Sequence, residues 1–129
     1  MHDIFIRDKD QNNLDDKTGK PVEVVAMVDS VIIGTEEGWK RGSNLRGGNV
    51  IWLYNPSLDM VFYYAHLDQI SVKRGDVVKG GTVLGTIGRT GAAASEKRSP
   101  THLHHMVLKY ENRILNPYNY YSELAKNHR

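Results

Sequence analysis

The chain has 129 residues, 40% hydrophobic and 25% charged with 12 glycines, which is enough core-forming material for one folded domain and too little chain for two. Seventeen Lys and Arg against fifteen Asp and Glu leave a formal charge of +2, evenly spread, so charge makes no case for nucleic acid. Cysteine is absent, which excludes thiolate catalysis, Cys-zinc sites and disulfides, and leaves only His and carboxylates to hold a metal. No apolar run approaches ~18 residues, and the opening Met-His-Asp-Ile-Phe-Ile-Arg-Asp lacks the pattern of a signal peptide, so a soluble chain with no membrane segment is expected.

In chain order, the sequence predicts short strands separated by Gly-rich turns. Ile4 to Ile6 is a short apolar run, and Arg7 to Lys20 is a polar loop rich in Asp, Asn and Gly. Val22 to Ile33, rich in Val and Ile, predicts two strands or one strand bent around Asp29 and Ser30. A basic, Gly-containing loop runs from Trp39 to Gly48. Asn49 to Tyr54 and Met60 to Tyr64 flank the turn segment Asn55-Pro56-Ser57-Leu58-Asp59 and read as a β-hairpin. Between Ser71 and Gly88, turns alternate with strands too short for anything but a tightly wound β layer. Gly91 to Pro100 is an exposed loop, His102 to Tyr110 is the last strong strand, and a short helix is expected at Ser122 to Lys126. The fold class is therefore all-β, a two-layer antiparallel sandwich or an open barrel, in one domain over residues 1–129.

Three of the six histidines stand together in Thr101-His102-Leu103-His104-His105. In a strand, alternate side chains share a face, so His102 and His104 point one way and His105 the other. Two imidazoles so placed can converge on one centre, or one can bind a metal while the other reaches a water. Two exposed polar strand positions would give the same pattern.

The wider context favours the site. Tyr63-Tyr64-Ala65-His66-Leu67, the Gly-rich run Val72 to Gly91 and His102-Leu103-His104 resemble, in order and spacing, the M23 family of zinc metallopeptidases of lysostaphin and LytM type. The resemblance continues in Gly19-Lys20-Pro21-Val22, Gly48-Asn49-Val50-Ile51 and Asn116-Pro117, and so covers nearly the whole chain. It implies a zinc-dependent endopeptidase that cuts peptide cross-links of peptidoglycan, in the periplasm, at the cell envelope or secreted. It also implies roles residue by residue. His104 and Asp3 match zinc ligands, His102 matches a catalytic His that handles the proton of the attacking water, and His66 matches a catalytic His that assists the water or stabilises an oxyanion. The family's first ligand lies four residues before the Asp and so upstream of Met1, which makes the domain N-terminally incomplete by the family pattern; His2, beside Asp3, is a poor geometric substitute. His105 stands where the family carries an aromatic residue and is expected to pack.

Other features carry less chemistry. Asp8, Asp10, Asn12 and Asp16 occupy positions 1, 3, 5 and 9 of a calcium-loop pattern, although Asn13 replaces the turn glycine and Gly19 the bidentate Glu; a solvated acidic loop is the competing reading. Trp39, Trp52 and the Tyr118, Tyr120, Tyr121 cluster read as packing, with Trp39 also placed to line a groove. Arg46, Arg89, Lys97 and Arg98 read as solvated charges that could attract an anionic wall polymer. Two rivals to the enzyme remain: a non-catalytic module of the same family that binds cell wall or activates another hydrolase, and a carrier domain similar to biotinyl or lipoyl hammerheads, which the neighbours of Lys79 do not favour.

Overall fold

A computed structural model describes residues 2–43, 46–111 and 114–117 of the chain. Its strands are β1 (His2–Phe5), β2 (Glu23–Val25), β3 (Ser30–Glu36), β4 (Asn49–Asn55), β5 (Met60–Ile70), β6 (Val77–Val78), β7 (Val83–Ile87), β8 (His102–Glu111) and β9 (Ile114–Pro117). All pairings are antiparallel, and there is no helix among the described residues. The helix expected at Ser122 to Lys126 and the cluster of Tyr118, Tyr120 and Tyr121 lie outside them.

The strands form one continuous open sheet in the order β1-β8-β5-β4-β3-β6, with β9 beside β8 and the pair β2-β7 attached through β7 to the end of β5. The all-β class stands, with the open arrangement in place of two separately bonded layers. The expected bend between Val22 and Ile33 separates β2 from β3 at residues 26–29. The β4-β5 hairpin closes as expected: the Asn55 side chain accepts from the amide of Leu58 (2.8 Å) and donates to the carbonyl of Asp29 (2.6 Å), while the Tyr54 hydroxyl donates to Asp59 (2.6 Å). Strand β5 runs six residues beyond the expected Tyr64, to Ile70, because it changes partner partway and loses its alternation there.

One face of β8, β5 and β4 supplies the core. Leu103 and Val107, Phe62 and Tyr64, and Ile51 and Leu53 are buried in one cluster with Val24, Leu84 and Ile87 from β2 and β7. Burying side chains of this size contributes about 1.5–3 kcal/mol each, which fixes the sheet register, since a slip by one residue would turn every one of them outward. His105 is buried on the same face, its ring 4.5 Å from that of Tyr64 and 6.4 Å from that of Phe62, so it packs as an aromatic residue would. The opposite face of β8 is left to His102, His104 and Met106.

The acidic loop is organised from within. Asp8 is 8% exposed, and its carboxylate accepts from the amides of Asn12 (3.0 Å) and Asn13 (2.8 Å) and from the hydroxyl of Thr101 (2.8 Å). Asp16 accepts from the amide of Lys9 (2.9 Å), and Asn12 from that of Leu14 (3.0 Å). Three of the four residues of the calcium-loop pattern, Asp8, Asn12 and Asp16, thus accept from N–H and O–H groups, as a loop organised by its own hydrogen bonds does. Burial pulls the Asp8 carboxyl upward, but the Thr101 hydroxyl, the two amides and the charge of Arg89 outweigh it and hold it below the ordinary carboxylate value. A carboxyl lowered by folding contributes stability that is present above its unfolded value and lost as pH falls through the folded one. Asp8→Ala should therefore cost about 1–3 kcal/mol at pH 7, and the gap from the parent should close on acidification below ~3.9. Urea melts between pH 7 and pH 2 read this directly, and a gap that stays constant with pH would show that the ionised carboxylate is not the stabilising species.

Candidate metal and catalytic site

The outward face of β8 becomes a site because of its neighbours. In the β1-β8 pairing Asp3 lies directly opposite His104 and Phe5 opposite His102. Strand alternation then sends Asp3 and Phe5 to the same side as the two histidines. The result is Asp3 Oδ1 at 3.0 Å from His104 Nδ1 and 4.0 Å from His102 Nε2. On the other flank His104 faces Ala65 of β5, whose methyl leaves room above the sheet.

His66 reaches this face by a break in its strand. Strand β5 pairs with β8 through Ala65 and with β7 from Leu67, and its register with β4 also shifts across this stretch. Between the two partners His66 takes φ = 65°, a left-handed conformation costly for a side chain other than glycine. Two backbone bonds hold it: its N–H donates to the Gly47 carbonyl (2.8 Å), and its carbonyl accepts from Gly88 (3.0 Å). The ring arrives with its centroid 4.9 Å from that of His102 and 5.8 Å from that of His104. The four residues singled out in the sequence, Asp3, His66, His102 and His104, thus meet at one place.

Hydrogen bonds set the direction in which two of the rings act. His66 Nδ1 lies 2.7 Å from the carbonyl of Thr90, and His102 Nδ1 lies 2.8 Å from the carbonyl of Pro100. A carbonyl only accepts, so both Nδ1 atoms carry a proton, and Nε2 is the nitrogen of each ring left for chemistry. Burial pushes the His66 imidazole below its ordinary value, and nearby His102 and His104 add to this against the opposing Thr90 carbonyl and Asp3, so the ring is neutral near pH 7. The site therefore sets two imidazoles, each with Nδ1 on a backbone carbonyl, beside an Asp-His pair.

That Asp-His pair suits zinc. Tetrahedral ligands at about 2.0–2.2 Å from the metal stand roughly 3.3 Å from each other, close to the 3.0 Å between His104 Nδ1 and Asp3 Oδ1. Among the described residues no group of three His or carboxylate side chains is spaced to hold a metal. These two side chains would supply two of three protein ligands.

Two residues at the site were not foreseen. Tyr63 borders a cavity of about 200 Å³ together with Arg46, Gly47, Ala65, His66 and His104. Its ring meets that of His104 edge-on at 6.0 Å, and burial pushes its hydroxyl above the ordinary value. Phe5 lies with its ring 5.4 Å from that of His102. Alternation on β5, which puts Tyr63 on the face of Ala65, and the spacing of Phe5 from Asp3 were the available signals. Trp39, in its loop, is held by a bond from its amide to the Asn49 side chain (3.1 Å).

Glycines let the loops close over His66. At Gly91, φ is 114° and an added Cβ would stand 2.8 Å from His66 Nδ1 and against the Arg46 carbonyl; at Gly48 a Cβ would run into the backbone of Thr90 and Gly91. Gly91→Ala should therefore destabilise the fold by about 1–3 kcal/mol and shift the His66 ring resonances. A variant with the parental denaturation midpoint and His66 spectrum would show that this contact is not tight.

Residues 11–117 match the family described as Peptidase family M23. Lysostaphin of Staphylococcus staphylolyticus is 34% identical over 94 residues, which are 73% of this chain and 18% of that protein, so the chain spans less than a fifth of the relative it matches. Among solved structures, the catalytic domain of the antimicrobial peptidase lysostaphin from Staphylococcus simulans is 30% identical with a TM-score of 0.61, covering 81% of this chain and 71% of that one. The lytM structure from Ruminococcus gnavus is 29% identical with a TM-score of 0.65, covering 99% of this chain and 56% of that one. The match over residues 11–117, on a fold that brings the His-x-His strand against Asp3 and His66, places the chain in peptidase family M23.

Proposed function

We propose that this chain is a single domain acting as a zinc-dependent endopeptidase on the peptide cross-links of peptidoglycan, outside the cytoplasm. The observation that carries this reading is the meeting of Asp3 and His104 at 3.0 Å with two imidazoles whose Nδ1 atoms are bonded to carbonyls. Its relatives support the peptidase class, and the substrate and the compartment rest on family resemblance.

Asp3 and His104 would hold the metal, with the third ligand of the family pattern falling four residues before Asp3. When bound, zinc supplies a Lewis acid that acidifies water and polarises the scissile carbonyl. With Nδ1 on the Pro100 carbonyl, the His102 ring holds Nε2 beside Asp3, where it would take the proton of the attacking water and return it to the leaving amine. His66 faces the same space across a ring separation of 4.9 Å. With Nδ1 on the Thr90 carbonyl, its Nε2 would accept a hydrogen bond from the attacking water and orient that water toward the scissile carbonyl. The Thr90 and Pro100 carbonyls keep both rings in the required tautomer.

The test uses a chain carrying a His four positions before Asp3, loaded with zinc and given purified peptidoglycan of several cross-bridge types. Release of peptides is expected. His102→Ala should lower turnover about 10²- to 10⁴-fold with zinc content retained, and His66→Ala about 10²- to 10³-fold. His104→Ala should lower zinc content and turnover together. A zinc-loaded protein that releases no peptide from any of the substrates would favour the wall-binding module, and full turnover by His102→Ala would overturn the assigned proton transfer.

A further inference from the structure

The acidic loop and Arg89 have no part in the function above, yet both converge on the residue just before His102. Thr101 is 2% exposed. Its hydroxyl donates to Asp8 Oδ2 (2.8 Å) and accepts from Arg89 Nη1 (3.1 Å). The same Arg89 nitrogen donates to the Ser99 carbonyl (2.6 Å), while Nη2 donates to that of Glu96 (2.7 Å). The Thr101 carbonyl in turn accepts from the amide of Ile6 (3.2 Å). Pro100, whose carbonyl orients the His102 ring, is therefore anchored on both sides, at Ser99 and at Thr101, by one guanidinium and one buried carboxylate.

We propose that Asp8, Thr101 and Arg89 are positioning residues for His102, and that the loop of residues 7–20 acts through them to hold the Pro100 carbonyl where it fixes the His102 tautomer and aim. The inference rests on the endopeptidase reading only in giving His102 a proton to move. The physical case is one of satisfied groups. Thr101 is held from two directions, Asp8 gives its remaining acceptor capacity to two amides, and a planar Arg fork clamps three oxygens with a rigidity Lys does not provide. None of the three touches Asp3, His104 or His66 in this network. Loosening it should misplace one base without removing the metal pair.

The experiment compares the parent with Thr101→Val, which keeps shape and removes the hydroxyl, and with Thr101→Ser, which restores it. In the metal-free protein at pH 8, nitrogen NMR of the histidine rings should show His102 protonated at Nδ1 in the parent and in Thr101→Ser. In Thr101→Val it should show a mixture of tautomers, with His66 unchanged. In the zinc-loaded extended chain, Thr101→Val should lower kcat about 10- to 100-fold with KM and zinc content unchanged, and Thr101→Ser should recover most of it. If Thr101→Val fails to fold, Arg89→Lys gives the same two readouts. A parental His102 spectrum in a folded Thr101→Val protein overturns the proposal, and so does a spectrum that Thr101→Ser does not restore. The tautomer change in Thr101→Val, found together with a zinc-loaded parent that releases no peptide, supports the positioning network and counts against the endopeptidase reading alone.

Discussion

The exchange of partners along β5 governs the rest of this structure. A strand that stayed on β8 beyond Ala65 would continue the plane of the sheet and leave His102 and His104 on a flat surface. A left-handed residue at His66 ends that pairing, at a cost of about 1–2 kcal/mol, and directs the following residues to β7. The cost is offset by backbone bonds to Gly47 and Gly88 and by the apolar cluster that β7 and β2 complete. The same change delivers an imidazole to the edge of the His-x-His strand. Fold and site thus share one strained position, a pairing familiar where strain serves function.

A second constraint is the register between β1 and β8. Asp3 meets His104 because they are cross-strand partners, and cross-strand neighbours on one face approach within reach of short side chains. A shift of β1 by one residue would replace Asp3 with its neighbours and send the carboxylate to the other face. The register is supported from a distance by the bond between the Ile6 amide and the Thr101 carbonyl, and by that between the Thr101 hydroxyl and Asp8, two residues further on. What looks in sequence like a decorative acidic loop is thereby tied to the strand that carries the chemistry. A cavity of about 790 Å³ also lies along this loop, with no imidazole in its lining.

Much of this was legible in the sequence. The alternation in His102-Leu103-His104-His105 predicts two histidines facing out and one packed in, and the strand parity of β8 bears this out down to the aromatic environment of His105. The hairpin at Asn55 to Asp59 was legible because its signals are local, and so were the short strands around Gly75 and Gly81. Two other features were hidden because their causes are not local. The length of β5 and the turn at His66 depend on which strands compete for its edge, and nothing in Ala65-His66-Leu67 itself announces a left-handed residue. Asp8 reads as a cation ligand by spacing, but its partner Thr101 is 93 residues away in the chain, and only the fold brings the two together. Arg89 and Tyr63 were undervalued for the same reason: each acquires its role from a neighbour on another strand.

The central claim is that Asp3 and His104 form one side of a metal centre while His66 and His102 stay on their carbonyls as bases. Crystals grown with zinc and measured at the zinc absorption edge test this most directly. The account predicts an anomalous peak within about 2.0–2.2 Å of both His104 Nδ1 and an Asp3 oxygen, with the Nδ1 atoms of His66 and His102 still bonded to Thr90 and Pro100. A peak ligated by His66 or His102 through a released ring, or one seated among Asp8, Asp10 and Asp16 with none at Asp3, would contradict it.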